Sequence, residues 1–564
     1  MKKITYILLP FLLIGNLTIA QKISRKEKEI QKNITSSITY LASDRLEGRL
    51  TGSEGEKLSA DYIAAQFKTL GLKPMGDDGS YFQTFTITTL RLATDKSSMS
   101  LGGGKLVQFK DFYPLSISAN KGEYSGETVD VGFGINSTKP FRNDYENKDV
   151  KGKMVIINIG SPDGVHPHSE YIAWHGIESR VTEAIKQGAK AVVFYKTNTK
   201  SEDPDGNLSL KIEPSAIPVV FVKKDLSTMP PGAPMSLFID ILAITEKGHN
   251  VIAFKDNHAP HTVVIGAHHD HLGRGQMGNS LSTGNSEIHN GADDNASGTA
   301  GLIELAKIFS KKRKWNKSNN YLFIAFSGEE LGLLGSKHFV AHPTYPLSKM
   351  NYMINMDMIG KLDSSSKVLI INGVGTSPAW NQVIGKIELD TQRIKSIVTS
   401  EGGIGASDHT SFYLNKIPAV HFFTGQHADY HKSTDDVAGI NFAGEVYVIK
   451  YICDFMKTLN SVGKLEFTET KNEQKEGRMK FEVTLGIMPD YRYSSEGVRV
   501  DGVKDDMPGK IGGIVTGDII ITFNGVFIQG MKEYMNVLSS LKKGDKVPVQ
   551  VKRNGETVDL IIQF

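Results

Sequence analysis

Two glutamates stand side by side in FSGEELGLLGS, residues 326–336, where an apolar run gives way to a glycine-punctuated turn. Adjacent carboxylates at a buried strand end repel, and one of them takes up a proton unless a strong positive charge lies close. A divalent cation supplies that charge. Consecutive side chains diverge at a strand-to-turn junction, so Glu330 can bind the ion while Glu329 faces a water and acts as its general base. The competing reading of this stretch is a solvated helix N-terminus, which also favours acids.

Four more segments carry side chains of the same kind. In GAHHDHLG, His268 and Asp270 are two apart on an extended chain and point the same way, whereas His269 and His271 point elsewhere. A carboxylate so placed can hold the second nitrogen of a ligand imidazole and fix its tautomer, although a histidine-rich strand end is as often merely solvated. In HNGADDNASGTAGLIEL a tight polar loop runs into a helix beginning near Asn295, and Asp294 sits where a carboxylate could bridge two cations. A helix cap would account for one aspartate of the pair but does not need both. INMDMIG places Asp357 at the end of an apolar strand, and HADYHKSTDD places His431 in a loop after another. Taken singly, such an acid is often a turn residue and such a histidine is more often structural. What weighs most is convergence, because ligands in open α/β sheets collect beyond the carboxyl ends of strands. The single cysteine, Cys453, leaves histidine, aspartate and glutamate to build any metal site.

The elements that must position these residues lie between about 250 and 460. The runs HTVVIGAHHD, NYLFIAFSGEE, MNYMINMDMIG and IPAVHFFTG read as buried strands, with helices such as ASGTAGLIELAKIFSKK between them. That alternation predicts an α/β core, a mainly parallel sheet flanked by helices on both faces. Residues 22 to about 75 read as helices, with Gly71 as a stop. From about 95 to 250 the texture changes to short strands and loops, including VKGKMVIINIG and the helix–turn–strand ESRVTEAIKQGAKAVVFYK, so this segment reads as an inserted α/β domain. A lysine- and glutamate-rich linker leads into a compact terminal module. The expected division is a signal peptide at 1–20, the first part of the core at 21–95, the insertion at 96–250, the metal-bearing core at 251–461, the linker at 462–478 and the module at 479–564.

A chain of 564 residues exceeds one ordinary core, and 39% hydrophobic with 23% charged residues marks it as globular. MKKITYILLPFLLIGNLTIA has the lysines, short apolar run and small-residue end of a secretory signal peptide, too short for a comfortable bilayer span. Export to a periplasm or the cell exterior is therefore expected, with no stable membrane anchor after cleavage. Losing the two lysines of that segment lowers the formal charge from +3 to +1, which gives no reason to expect a nucleic-acid partner.

Three resemblances sharpen this reading. KGKMV at 151–155 and AIKQGAKAVV at 184–193 resemble the protease-associated domain. The terminal module resembles a PDZ domain, most specifically in GIVTGDIIITFNG, with TLGI at 484–487 as its carboxylate-binding loop; this implies a C-terminal peptide ligand added as a strand. Residues 30–90 and 250–460 resemble the secreted two-zinc leucine aminopeptidases, the family that also contains glutamate carboxypeptidase II and the glutaminyl cyclases, with every motif in the family's order.

That last resemblance implies two zinc ions, one held by His268, Asp294 and Asp357 and the other by Asp294, Glu330 and His431, with Asp294 bridging. It also implies Glu329 as general base, Asp270 as the carboxylate that orients His268, and Tyr430 as a hydrogen-bond donor to the tetrahedral intermediate. Asp408 and His409, in GASDHTSFY, would lie near the site, in contact with it or supporting it from behind. The implied reaction is hydrolysis of peptides from a free N-terminus, Glu329 carrying the water's proton to the leaving amine. Cyclisation is disfavoured because all the ligand positions of a two-metal set are filled. Carboxypeptidase or dipeptidase action remains the alternative, though no arginine cluster for acidic substrates accompanies the motifs, and a non-catalytic peptide-binding protein is the reading from a different class.

Overall fold

The computed structural model describes residues 24–165, 169–197, 203–209, 212, 214–277, 279–282, 287–470, 483–489, 497–503, 507–528, 530–553 and 555–564. The expected signal peptide lies outside them, as do residues 471–478 of the expected linker. The first helix, α1 (Arg25–Leu41), starts in a capping box: the Ser24 side chain accepts the Glu27 N–H and the Glu27 carboxylate accepts the Ser24 N–H. Ile30, Ile34, Ile38 and Leu41 recur at helical spacing and are buried. A tight turn over residues 44–53 leads to α2 (Glu54–Thr69), which Ser53 caps. The chain leaves that helix at Gly71, whose φ of +68° suits a residue without a Cβ.

Two long strands follow, β1 (Phe82–Ala93) and, after the insertion, β2 (Pro234–Lys255). The core then alternates as expected through β3 (Thr262–His268), α3 (Gly298–Ser310), β4 (Asn320–Phe326), α4 (Leu334–Ala341), β5 (Met350–Met356), β6 (Val368–Asn372), β7 (Ser396–Ser400), α5 (His409–Leu414), β8 (Ala419–Phe423) and α6 (Phe442–Leu459). In space the strand order is β7-β6-β8-β5-β3-β4-β2. The pairs β3/β4, β3/β5, β5/β8 and β6/β7 are parallel, while β6/β8 and β2/β4 are antiparallel. Every residue of β3, β4 and β5 is buried, which is what two helix-covered faces demand of a central strand. One face packs against α1, α2, α3 and α6 through Ile34, Phe67, Leu302 and Phe455; the other carries Phe339 of α4 and Phe412 of α5.

β2 ties this core to the insertion. Its second half pairs with β4 and its first half with the strand Lys121–Asp130, so one strand runs unbroken through position 250, where a domain boundary was expected. Beyond it, Met154–Asn158, Ala191–Tyr195 and Val219–Val222 continue the sheet in parallel, and the helix Ile177–Lys186 and the Gly188 turn lie where the sequence puts them. The terminal module forms its own antiparallel sheet over residues 487–563 with its own apolar cluster. No helix among the described residues is long and apolar enough to cross a membrane.

Candidate metal centre

The carboxyl ends of β3, β4 and β5 converge on one point. Gly266 stands opposite Asn355 in the β3/β5 register, which brings His268 and Asp357, two residues further on, to adjacent strand ends. His268 Nε2 lies 3.2 Å from Asp357 Oδ1 and 3.4 Å from Asp294 Oδ1. Beyond β4 the chain turns, and Glu330 Oε2 meets His431 Nε2 at 3.1 Å. Asp294 joins the halves, because its other oxygen, Oδ2, is 3.3 Å from His431 Nε2. All five expected ligand residues therefore meet, and Asp294 offers one oxygen to each side.

Backbone carbonyls fix both imidazoles. His268 Nδ1 is 3.2 Å from the carbonyl oxygen of Asp270 and His431 Nδ1 is 3.0 Å from that of Asn279, so each Nδ1–H has an acceptor and each Nε2 faces the carboxylates. The Asp270 carboxylate lies 3.7 Å from His268 Nδ1, and it accepts the Thr51 hydroxyl at 2.8 Å and the Glu329 N–H at 3.2 Å. The strand ends at His268, so alternation along it no longer says where Asp270 points. Its carbonyl oxygen orients the histidine; its side chain holds the turn that carries Glu329.

The expectation for His271 is the one the structure corrects. The side chain does not point away: Nδ1 lies 2.7 Å from Glu330 Oε1, with the ring buried beside His431. His269 does turn elsewhere, to Ser59 and the carbonyl oxygen of His249.

The Asp294 loop is held from several sides. Asp435 Oδ2 accepts the N–H groups of Asp293 and Asp294 at 2.9 and 3.0 Å. Asp293 is no helix cap; its carboxylate accepts from Ser297 and the Gly360 N–H, and its other oxygen faces His427 at 3.2 Å. Lys361 in turn bridges Asp435 and Asp429. Gly291 opens the loop at φ +55°, where a Cβ would stand 2.1 Å from the Asp294 carbonyl oxygen. Arg49, from the turn between α1 and α2, donates to the carbonyl oxygens of His269, Leu41, Asn290 and Gly291, clamping the β3 end to this loop. Burial lowers its pKa to about 10, partly offset by Asp270 and Asp294, so it remains a fixed cation beneath the anionic cluster. Reading by motif missed Arg49, Asp435 and Asp293; Arg49 shares its turn with Arg45, and nothing local tells the two apart.

The site's electrostatics favour positive charge. Burial opposes protonation of His268 and His431, yet the surrounding carboxylates outweigh it and hold both pKa values well above the histidine range. Asp294 is held well below the carboxylate range, against burial, by those same imidazoles. Glu329 goes the other way: burial, with the charges of Asp357 and Glu330, pushes it well up, against the opposing pull of His268. Two clusters, His268/Asp294/Asp357 and His271/Asp294/Glu330, have ligand atoms mutually within 4.8 Å. This nitrogen-and-carboxylate donor set around one shared aspartate fits a pair of divalent ions.

A cavity of about 470 Å³ opens onto the cluster, with Asp294, Glu329, Asp357, Tyr430 and His431 on its wall. Tyr430 stacks on His431, ring centroids 3.9 Å apart, and burial next to Asp294 and Glu330 pushes its hydroxyl well above the usual range, keeping it a donor. Met358, Ile370, Val398, Ile404 and Phe423 form the apolar wall, and no lysine or arginine among the described residues lines it. His409 lines the cavity too, stacked on His421, whereas Asp408 is buried behind it with its pKa pushed up to about 7 by desolvation.

Comparison with known proteins agrees with this layout. Residues 250–456 match the model of Peptidase family M28, residues 124–228 that of the PA domain and residues 468–563 that of the PDZ domain. Aminopeptidase YwaD of Bacillus subtilis is 26% identical over 440 residues, which cover 75% of this chain and 84% of that one. A probable leucine aminopeptidase of Trichophyton verrucosum is 28% identical over 222 residues, 38% of this chain and 56% of that protein. The chain thus spans little more than half the length of that fungal relative. Among solved structures, the aminopeptidase from Aneurinibacillus sp. strain AM-1 is 24% identical with a TM-score of 0.43, covering 78% of this chain and 97% of that one.

Proposed function

From the premise that residues 250–456 are a Peptidase family M28 core, carried with a PA domain and a PDZ domain, we propose that the protein is a zinc-dependent aminopeptidase. The aminopeptidase relatives support peptidase activity, and one observation carries the finer reading: Asp294 gives one oxygen to each half of a buried ligand cluster that faces a cavity with Glu329 on its wall. His268, Asp294 and Asp357 would hold one ion, and Asp294, Glu330 and His431 the other. Zinc bound there would lower the pKa of a water and polarise the scissile carbonyl.

The chain's own residues do the rest. Glu329, on the cavity wall, accepts a proton from water and returns it to the leaving amine. The Tyr430 hydroxyl, kept protonated, donates to the oxyanion. That no lysine or arginine among the described residues lines the cavity supports a free amino terminus over a C-terminal carboxylate or acidic side chain as the recognised end, and the apolar wall supports an uncharged first side chain. Residues 484–487 of the PDZ domain are our candidate for capturing chain ends, and residues 1–20 for directing export.

The test is hydrolysis of a leucine anilide by the full chain, metal-stripped and then titrated with zinc, beside its N-acetylated counterpart. Turnover that rises with zinc and needs the free amine is expected. A zinc-loaded protein that cleaves both equally, or neither, removes the aminopeptidase assignment.

A further inference from the structure

His268 and His431 share one arrangement, Nδ1 on a backbone carbonyl and Nε2 toward the carboxylates. His271 reverses it. Its Nδ1 faces Glu330 Oε1 at 2.7 Å, while Nε2 is buried without a hydrogen-bond partner among the described residues. From that reversal, and resting on the two-ion reading above, we infer that His271 is a positioning residue that donates from Nδ1 to Glu330 Oε1 and so aims Glu330 Oε2 at the His431 half of the centre.

The tautomer decides between donor and ligand. Were Nδ1 to present its lone pair to an ion, the proton of the neutral ring would sit on Nε2, a buried N–H that no described residue accepts. Orphaned buried donors are the rarer and costlier kind of unsatisfied group. With the proton on Nδ1, the short contact to Glu330 becomes a charge-assisted hydrogen bond and only a lone pair on Nε2 goes without a partner. Asp294 Oδ2 is 4.0 Å from Nδ1, outside hydrogen-bond reach, which leaves Glu330 Oε1 as the acceptor. Glu330 is thereby gripped at both oxygens, Oε1 by His271 and Oε2 facing His431 at 3.1 Å, and cannot rotate without losing one of them. The ring is itself fixed, because Gly291 packs on it so closely that a Cβ there would fall 2.5 Å from His271 Cδ2. His271 thus also touches the loop that brings in Asp294.

Stepwise zinc binding to the full-length protein, read by competition with a chromophoric chelator, tests the inference. In H271L the first ion should bind as in wild type and the second about 10- to 100-fold more weakly. H271N, whose side-chain amide can donate from nearly the place of Nδ1, should restore the second affinity most of the way; a residue that served packing alone would not be rescued so. H271F, keeping the ring's volume without its donor, substitutes for leucine should H271L fail to fold, and carries the same expectation. Two unchanged affinities in H271L or H271F would overturn the role. An H271N as weak as the donorless variants would overturn it in favour of direct coordination, and simultaneous loss of both ions in favour of general support. A wild-type protein that binds no zinc sinks the two-ion reading itself, a result separate from any of these.

Discussion

The two halves of the centre are built differently. His268 and Asp357 sit at the ends of neighbouring parallel strands, so the register of β3 on β5 already sets their separation. Glu330 and His431 have no such common element: one lies in the turn after β4, the other in the long connection between β8 and α6 at φ +55°. Their meeting depends on individual hydrogen bonds, from His271 to Glu330, from His431 to the Asn279 carbonyl and from the Asp293 and Asp294 amides to Asp435. A sheet-borne half inherits the stability of the central core; a loop-borne half opens with the local fluctuations of its own segments. The first should therefore hold its ion through perturbations that empty the second.

The harshest way to break that contrast is to remove what the halves share. Asp294→Asn keeps the shape but takes the charge from the bridge, so neither ion should survive gel filtration, measured as zinc per chain, and hydrolysis should fall to background. Retention of the β3/β5 ion alone in that variant would show that the sheet-borne half stands without the bridge, an even stronger asymmetry. Glu329 belongs to neither half: Glu329→Gln should keep both ions and lower kcat about 10³-fold. An ion missing from that variant would make Glu329 part of the metal support instead of the base.

The same asymmetry explains what could be read beforehand. Apolar runs with an acid or histidine at the end declare strand and ligand together, and His268, Asp357 and the Glu329–Glu330 pair were legible for that reason. Asp294 was legible because two aspartates exceed what one helix start requires. His271 was misjudged because period-two alternation holds only while a strand lasts, and β3 ends at His268. Arg49 and Asp435 act on backbone groups far away in sequence, and no local pattern encodes a partner 220 or 142 positions off. β2, too, hid a continuity: a texture change near 250 is real in the sequence, yet the strand crosses it because its two halves pair with different neighbours.

Smaller substitutions sharpen the comparison. Tyr430→Phe removes one donor and no ligand, so kcat should fall about 10²-fold with zinc content and both affinities unchanged. A weakened second ion would instead mean that the ring stacked on His431 holds it in place, adding one more side chain to the loop-borne half.

The smallest effect is expected at Thr51, behind the sheet-borne half. Its hydroxyl donates to Asp270 Oδ2 at 2.8 Å in a fully buried contact, and valine has nearly its shape without the donor. Thr51→Val leaves that oxygen short of a partner, a cost of about 1–3 kcal/mol that thermal unfolding should register as a lowered Tm. It should leave the ions alone, because His268 is oriented by the Asp270 carbonyl oxygen and by strand register, neither of which the hydroxyl touches. Chelator competition checks this directly. Were the first ion to weaken in Thr51→Val, the Asp270 side chain would have to be steering His268 after all, and the sheet-borne half would lean on side-chain hydrogen bonds as heavily as its neighbour does.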